Sequence, residues 1–208
     1  MTKINHLKEI AKSNKSFIIY KSDKGFDLYT DFSKKIILTN NNIKNFINKA
    51  RQFKSKKKET DLFIGFFGYE ILNNLIGIKL KKQKGLKFPK GIFYKPETKI
   101  KLQNRLDYNN LKLINSKKSF SVNIDKASYK VIFDKFKKKI KSGETYQIKI
   151  CTKYSNETKI DALDFFSRLV KTNMAPEAFM IKDKNYSIIS CSPENLITKK
   201  NNFITTKP

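Results

Sequence analysis

The chain of 208 residues predicts an α+β fold, with antiparallel-rich sheets and helices packed against them. Three observations lead there. Strand-like apolar runs gather near both ends, four of them in succession after Pro176. Two stretches between those ends carry apolar residues at helical spacing. A hydrophobic content of 39%, with 12% aromatic, is that of a globular chain and not a disordered one. A domain of this length buries roughly 70% of its unfolded surface, so a substantial core is available.

Taken in order, residues 16–39 read as three short strands, SFIIY, DLYT and KKIILT. Asn40 to Asn42 open a helix, in which Ile43, Phe46, Ile47, Ala50 and Phe53 share a face. Lys54 to Thr60 is a charged loop. Asp61 to Phe67 is a buried strand ending at Gly68, and a helix over 69–76 follows. Lys79 to Gly91 is polar and punctuated by Gly and Pro, as a surface loop is. The run GIFYKPETKIKL predicts a hairpin turning at Pro96-Glu97. Asn104 to Ser119 is the weakest periodic stretch, which sets the expected domain boundary between 1–118 and 119–208.

Asp125 then caps a helix reaching about Ser142. Its apolar face is Tyr129, Ile132, Phe133, Phe136 and Ile140, and Gly143 is the stop signal. TYQIKICTKY (145–154) reads as a strand. Lys159 to Thr172 is a second helix, with Ala162, Phe165, Phe166, Leu169 and Val170 apolar. FMIKD, YSIISC, NLITKK and FITTK are the four closing strands, and Lys200-Asn201-Asn202 supplies the last turn.

The net charge is +27 and the pI about 10.0, a balance that suits nucleic acid or an anionic membrane. The type of charge argues against both. Arginine occurs only at Arg51, Arg105 and Arg168, and the other basic side chains are lysines spread among many Asn and Ile. Readers of bases and phosphates favour the planar fork of arginine. The pattern is that of an AT-rich genome, although a positive field still helps to attract a dicarboxylate. Cys151 and Cys191 form no CxxC pair and are expected as reduced core residues. No apolar signal region and no run of about 18 apolar residues is present, which predicts a cytoplasmic chain without a membrane partner. His6 is the lone histidine, so no Ser-His-Asp, Cys-His or His-rich metal constellation can form.

Three segments carry chemistry: Gly65-Phe66-Phe67-Gly68-Tyr69-Glu70, then Ile140 to Ile150 (IKSGETYQIKI), then Pro176 to Pro208, which contains Ser192-Pro193-Glu194. In this order they resemble the chorismate-utilising enzymes, such as the large subunits of anthranilate synthase and aminodeoxychorismate synthase. The Gly65 segment is similar to G-x-x-G-Y-[DE]; alone it also reads as a strand end where glycine permits a tight turn. The Ile140 segment is similar to I-x-x-G-[DE]-x-[FY]-Q-V-x-L. The Pro176 segment resembles the family's strand, S-P-E and hairpin, which lead into P-I-x-G-T; only the Pro of that motif is present, as Pro208.

The resemblance implies the incomplete α/β sandwich of the anthranilate synthase component I fold, with chorismate as substrate. It makes Glu194 the general acid that protonates the departing C4 hydroxyl, and it places Gln147 and Ser192 at the substrate. Family members that use water carry lysine where Gln147 stands. An amide has no titratable proton and cannot act as that base, so Gln147 points to ammonia as nucleophile. The resemblance also implies Mg2+, on glutamates that lie beyond the end of this chain, and ammonia from a separate glutamine amidotransferase subunit. The chain is expected to be the front portion of such an enzyme and inactive alone.

Two departures bear on the branch. Where anthranilate synthases carry L-L-E-S at their tryptophan site, this chain has Ile19-Tyr20-Lys21-Ser22, with Lys21 in place of the acid. Where they carry P-Y-M, it has Pro176-Glu177-Ala178. Both favour aminodeoxychorismate synthase component I, or an unregulated anthranilate synthase component I, and the deciding position is expected two residues past Pro208. A reading of another class is a basic nucleic-acid-binding protein without catalysis.

Overall fold

The computed structural model describes residues 3–13, 15–22, 24–52, 58–78, 89–102, 106, 119–157, 160–192, 195–200 and 202–207. The elements run α1 (Lys3–Lys12), β1 (Phe17–Ser22), β2 (Gly25–Ile37), α2 (Ile43–Gln52), β3 (Ile64–Phe67), α3 (Tyr69–Leu75) and β4 (Gly91–Lys101). They continue with β5 (Ser121–Val122), α4 (Lys126–Lys141), β6 (Tyr154–Ser155), α5 (Ala162–Asn173), β7 (Glu177–Lys182), β8 (Ser187–Ser192), β9 (Asn195–Lys200) and β10 (Phe203–Lys207). The fold is α+β, and every strand pair among the described residues is antiparallel. Two compact units are formed, Met1–Asn110 with Asp161–Pro208, and Leu111–Ile160. The expected boundary at 104–119 falls almost wholly on residues outside those described, as do 54–57 and 79–88 of the expected loops.

The first unit is built on a six-stranded sheet in the order β3-β4-β2-β1-β7-β8. Its centre explains the unbroken apolar run FIIY in β1. Phe17 and Ile19 face one core and Ile18 the other, so both faces of the strand must be apolar. On the first face Leu7 of α1 and Leu163, Phe166 and Val170 of α5 pack on Phe17, Ile19, Phe26, Leu28 and Met180. On the second face Ile18, Tyr29, Ile92, Tyr94 and Ile181 form a separate cluster. A third, Leu38, Ile43 and Ile71, seats α2 and α3. The helix α1 is one element the sequence reading omitted, although Leu7, Ile10 and Ala11 lie at helical spacing.

Two strand expectations need correction. DLYT and KKIILT are one strand, β2, with a register shift between Phe32 and Lys34 and Asp31 at a φ of 52°. The hairpin expected at Pro96-Glu97 does not form, because β4 runs straight through, paired along its length with β2. Pro96 lies opposite Phe32 at that bulge, where the ladder is interrupted and the missing N–H costs least.

In the second unit α4 forms as expected. Asp125 Oδ1 accepts from Ser128 N at 2.7 Å, and Gly143 ends the helix at a φ of 76°. None of its residues is buried. The strand expected over 145–154 is reduced to Tyr154–Ser155, paired with β5. Residues 145–153 have no partner strand among the described residues, and Cys151 is exposed where a core position was expected. Cys191 in β8 is half-buried. The four closing strands all form, but they divide: β7 and β8 join the large sheet, while β9 and β10 make a hairpin of their own.

Candidate functional site

The Ser-Pro-Glu segment joins β8 to β9. Ser192, half-buried, ends β8 and lies opposite Glu177 in the β7–β8 register. Asn195 opens β9, and its Nδ2 donates to Glu177 Oε1 at 2.6 Å. Pro193 and Glu194, the expected acid, lie outside the described residues. Gln147 is exposed, in non-strand backbone of the second unit, where its carbonyl accepts from Thr145 Oγ1 at 3.1 Å. The structure thus brings Ser192 together with Glu177 and Asn195, which sequence reasoning did not pair, and Gln147 belongs to the other unit.

The two halves of the expected effector site do meet. In the β1–β7 ladder Lys21 lies opposite Ala178, and the Lys21 ammonium donates to the Ala175 carbonyl. The chain reaches that position because Met174 leaves α5 in the left-handed region, at a φ of 48°, and turns it into β7. Cys191 lies across from Ala178 on the other side. Burial pushes its thiol pKa up, and the Lys21 charge partly offsets this.

A second polar cluster escaped the sequence reading. Asp183, between β7 and β8, is 3% exposed and takes four donors. Its Oδ2 accepts from Lys35 Nζ at 2.6 Å and Tyr94 Oη at 2.5 Å. Its Oδ1 accepts from Lys184 N at 2.7 Å and Ser16 Oγ at 3.1 Å. Burial works to raise its pKa, but the bonds from Lys35, Tyr94, Lys184 and Ser16 outweigh it and hold the carboxyl well below the usual range. Burial, then the bond to Asp183, pushes the Tyr94 phenol far up. The cluster floors a cavity of about 1130 Å³ edged by Lys15, Thr30, Phe32 and Thr98. With both oxygens occupied by two donors each, Asp183 is a tie between β1, β2, β4 and the β7–β8 turn and has little capacity left for a ligand. Its side-chain partners are remote in sequence, so no local motif announces it.

Comparison with known proteins decides the family. Residues 7–208 match the chorismate binding enzyme family. The chain belongs to that family. Among its relatives is an anthranilate synthase component I-like protein of Synechocystis, 21% identical over 171 residues, 70% of this chain and 35% of the relative. Anthranilate synthase component 1 of Mycolicibacterium smegmatis is 31% identical over 86 residues, 38% of this chain and 16% of the relative. Aminodeoxychorismate synthase component 1 of Bacillus subtilis is 24% identical over 90 residues, 43% and 19% of the two chains. In each case the match spans about a third of the relative's length or less.

Within this chorismate-family chain, the glycines of the first motif have a steric reason. A Cβ on Gly65 would lie 1.9 Å from the Ile92 carbonyl oxygen, and one on Gly68 would lie 2.2 Å from that of Lys90. At both positions the neighbouring backbone leaves no room for a side chain, which is the plain structural reading of those residues. Among the described residues no three His, Cys, Asp or Glu side chains converge as metal ligands, so those residues offer Mg2+ no ligand set. Among them, too, no helix is long and apolar enough to cross a membrane.

Proposed function

We propose that this chain is the N-terminal part of an aminodeoxychorismate synthase component I, which replaces the C4 hydroxyl of chorismate with an amino group on the way to p-aminobenzoate and folate. The observation that carries the choice of branch is Lys21. Its ammonium is engaged by the Ala175 carbonyl, opposite Ala178, where the resemblance would place an acid and an aromatic side chain around tryptophan. A cation there repels an amino-acid ammonium. The Bacillus relative's name supports the same branch.

In this reading Glu194 is the general acid. Hydroxide is a poor leaving group, so a proton must arrive as the C–O bond breaks. A free glutamic acid titrates near 4.3, and the site must raise that value at about 1.4 kcal/mol per unit. Gln147, which cannot activate water, leaves ammonia as the nucleophile, delivered by a glutamine amidotransferase subunit in the cytoplasm. Ser192 completes the substrate side. Mg2+ would be held by residues other than those described.

A second reading, anthranilate synthase component I, is favoured by the Mycolicibacterium match. One assay separates them. Given chorismate, Mg2+ and ammonium, the source organism's complete gene product should form 4-amino-4-deoxychorismate, read as p-aminobenzoate after added lyase, with no anthranilate fluorescence. The 208-residue chain alone should form neither. Anthranilate as product would overturn the first reading, and turnover by the chain alone would overturn the view that its acid lacks the rest of its site.

A further inference from the structure

We propose that the cavity above Asp183 is a binding site for a small organic oxyanion, a carboxylate or phosphate carried on an apolar ring, with the Lys35 ammonium as its anchor. A β-bulge assembles it. In a regular strand Phe32 and Lys35, three residues apart, would point to opposite faces. The register shift between Phe32 and Lys34 puts both on the face of Tyr94, with Phe32 paired to Pro96 and Lys35 to Tyr94. The Phe32 and Tyr94 ring centroids are 4.9 Å apart, and Lys35 Nζ lies 5.8 Å from the Tyr94 centroid. Bulges are over-represented beside active sites, where they re-aim a side chain. Asp31, at a φ of 52°, turns the chain at the rim of the same cavity. Left-handed backbone is uncommon outside glycine and gathers at ligand sites.

Lys35 suits an anion. An ammonium has three donors, and Asp183 takes one of them. Lys35 lines the cavity and stays 44% exposed, so the other two are left for a ligand. The bond to Asp183 sets the cation's position before a ligand arrives, which lowers the ordering cost of binding. Lys15 and Lys184 also line the cavity, and neither has a carboxylate partner among the described residues. With Lys35 balanced by Asp183, these two ammonium groups face the single carboxylate of Asp31, and the balance favours an anion. Phe32 and Ile10 supply an apolar wall, Thr98 a hydroxyl, and about 1130 Å³ has room for a ring and its headgroup. The expected effector site is elsewhere. Lys182, next to Asp183, pairs with Phe17, whereas Lys21 pairs with Ala178 four residues along β1, about 13 Å away. None of the residues given a role in chorismate chemistry is involved, so the inference stands apart from that reading.

The 208-residue chain is titrated with benzoate and with phenyl phosphate at constant ionic strength, and amide chemical shifts are followed. Saturable shifts should gather at Asp31, Phe32, Thr98 and Lys184 and spare the lysines of α4. The tighter of the two ligands identifies the headgroup, and neutral benzyl alcohol should bind at least about tenfold more weakly than it. Lys35→Met should weaken binding at least about tenfold, as loss of a bond to a charged group does. Lys15→Ala with Lys184→Ala should weaken it about threefold, as exposed charges do. Lys130→Ala with Lys138→Ala removes the same charge from exposed positions of α4 and should leave the affinity unchanged. If Lys35→Met does not fold, the rim pair and this charge-matched control decide. Shifts scattered over the lysines without saturation, or equal losses in the two lysine pairs, mean an adventitious effect of the positive field and overturn the site.

Discussion

Asp183 is taken almost wholly out of water, and its four donors come from a strand start, two strands and the turn that follows it. Removing the charge while keeping the shape isolates what that tie contributes. Asp183→Asn replaces one acceptor oxygen with a donor facing Lys35 or Ser16. The cost should be about 2 kcal/mol, within the range for bonds to charged groups; Lys35 is 44% exposed and can rehydrate, which keeps the figure below that of a fully buried pair. The folded state holds this carboxyl below its unfolded value near 3.9. Its stabilisation is therefore complete above that pH and is lost as pH falls through the lower, folded value. Urea denaturation of parent and variant should show the full gap at pH 7 and a smaller one at pH 3; a gap independent of pH would mean that Asp183 contributes packing only. Sequence could not show this residue. Lys35 is 148 positions away and Tyr94 is 89, and Asp183-Lys184-Asn185 reads as any polar turn does. Lys21 stands in a short stretch that the sequence singles out by itself, and the β1–β7 register sets it opposite Ala178 of the second such stretch.

Among the five described helices, four were read well because their signals are local, and α1, whose Leu7, Ile10 and Ala11 carry the same kind of signal, was missed. Ile43–Gln52, Tyr69–Leu75, Lys126–Lys141 and Ala162–Asn173 lie within a few residues of expectation. Strands were read poorly wherever the partner decides the outcome. Pairing with β2 overrode the Pro-Glu turn signal in β4, and the lack of a partner among the described residues left 145–153 without strand structure despite their alternation. The α5 cap makes a clean test of a local signal with a long-range effect. Asp161 Oδ1 accepts from Asp164 N at 2.8 Å, and α5 carries Phe166, 0% exposed and edge-on to Phe26 at 6.5 Å, into the core. Asp161→Ala should cost about 1 kcal/mol, and Phe166→Ala about 3–5 kcal/mol from lost burial and cavity formation, both read from denaturant midpoints at unchanged slope. Equal effects would mean that the cap is also a packing contact. Gly65→Ala tests the close approach of β3 to β4. A methyl 1.9 Å from a carbonyl oxygen forces the edge strand away, at about 1–3 kcal/mol or more. Exchange protection should fall in Ile64–Phe67 before it falls in β1, and a neutral Gly65→Ala would show that the strand has room to shift.

At the scale of the whole molecule, two large terms oppose each other. A net charge of +27 makes copies of the chain repel. Against this stand apolar side chains left in water. Leu196 at 80% exposed and Phe203 at 77% lie on a hairpin that pairs only with itself among the described residues, and Phe133 and Ile140 lie on a helix with none of its residues buried. Salt decides which term wins. The Debye length shrinks from about 30 Å at 0.01 M to about 3 Å at 1 M, which removes the repulsion and leaves the apolar attraction intact. Sedimentation velocity should therefore show a mass that grows as salt is raised, and Leu196→Ser with Phe203→Ser should suppress the growth at little cost to stability, since exposed substitutions usually fall within about 0.5 kcal/mol. A nucleic-acid-binding protein predicts the opposite sign, because its affinity falls steeply as counterions compete for the phosphates. A chain whose mass is indifferent to salt, yet which holds DNA at low salt and releases it at high salt, would favour the binding-protein reading; salt-driven association with no salt-sensitive DNA complex places the lysines outside any recognition surface and the apolar hairpin at the centre of what this chain seeks to cover.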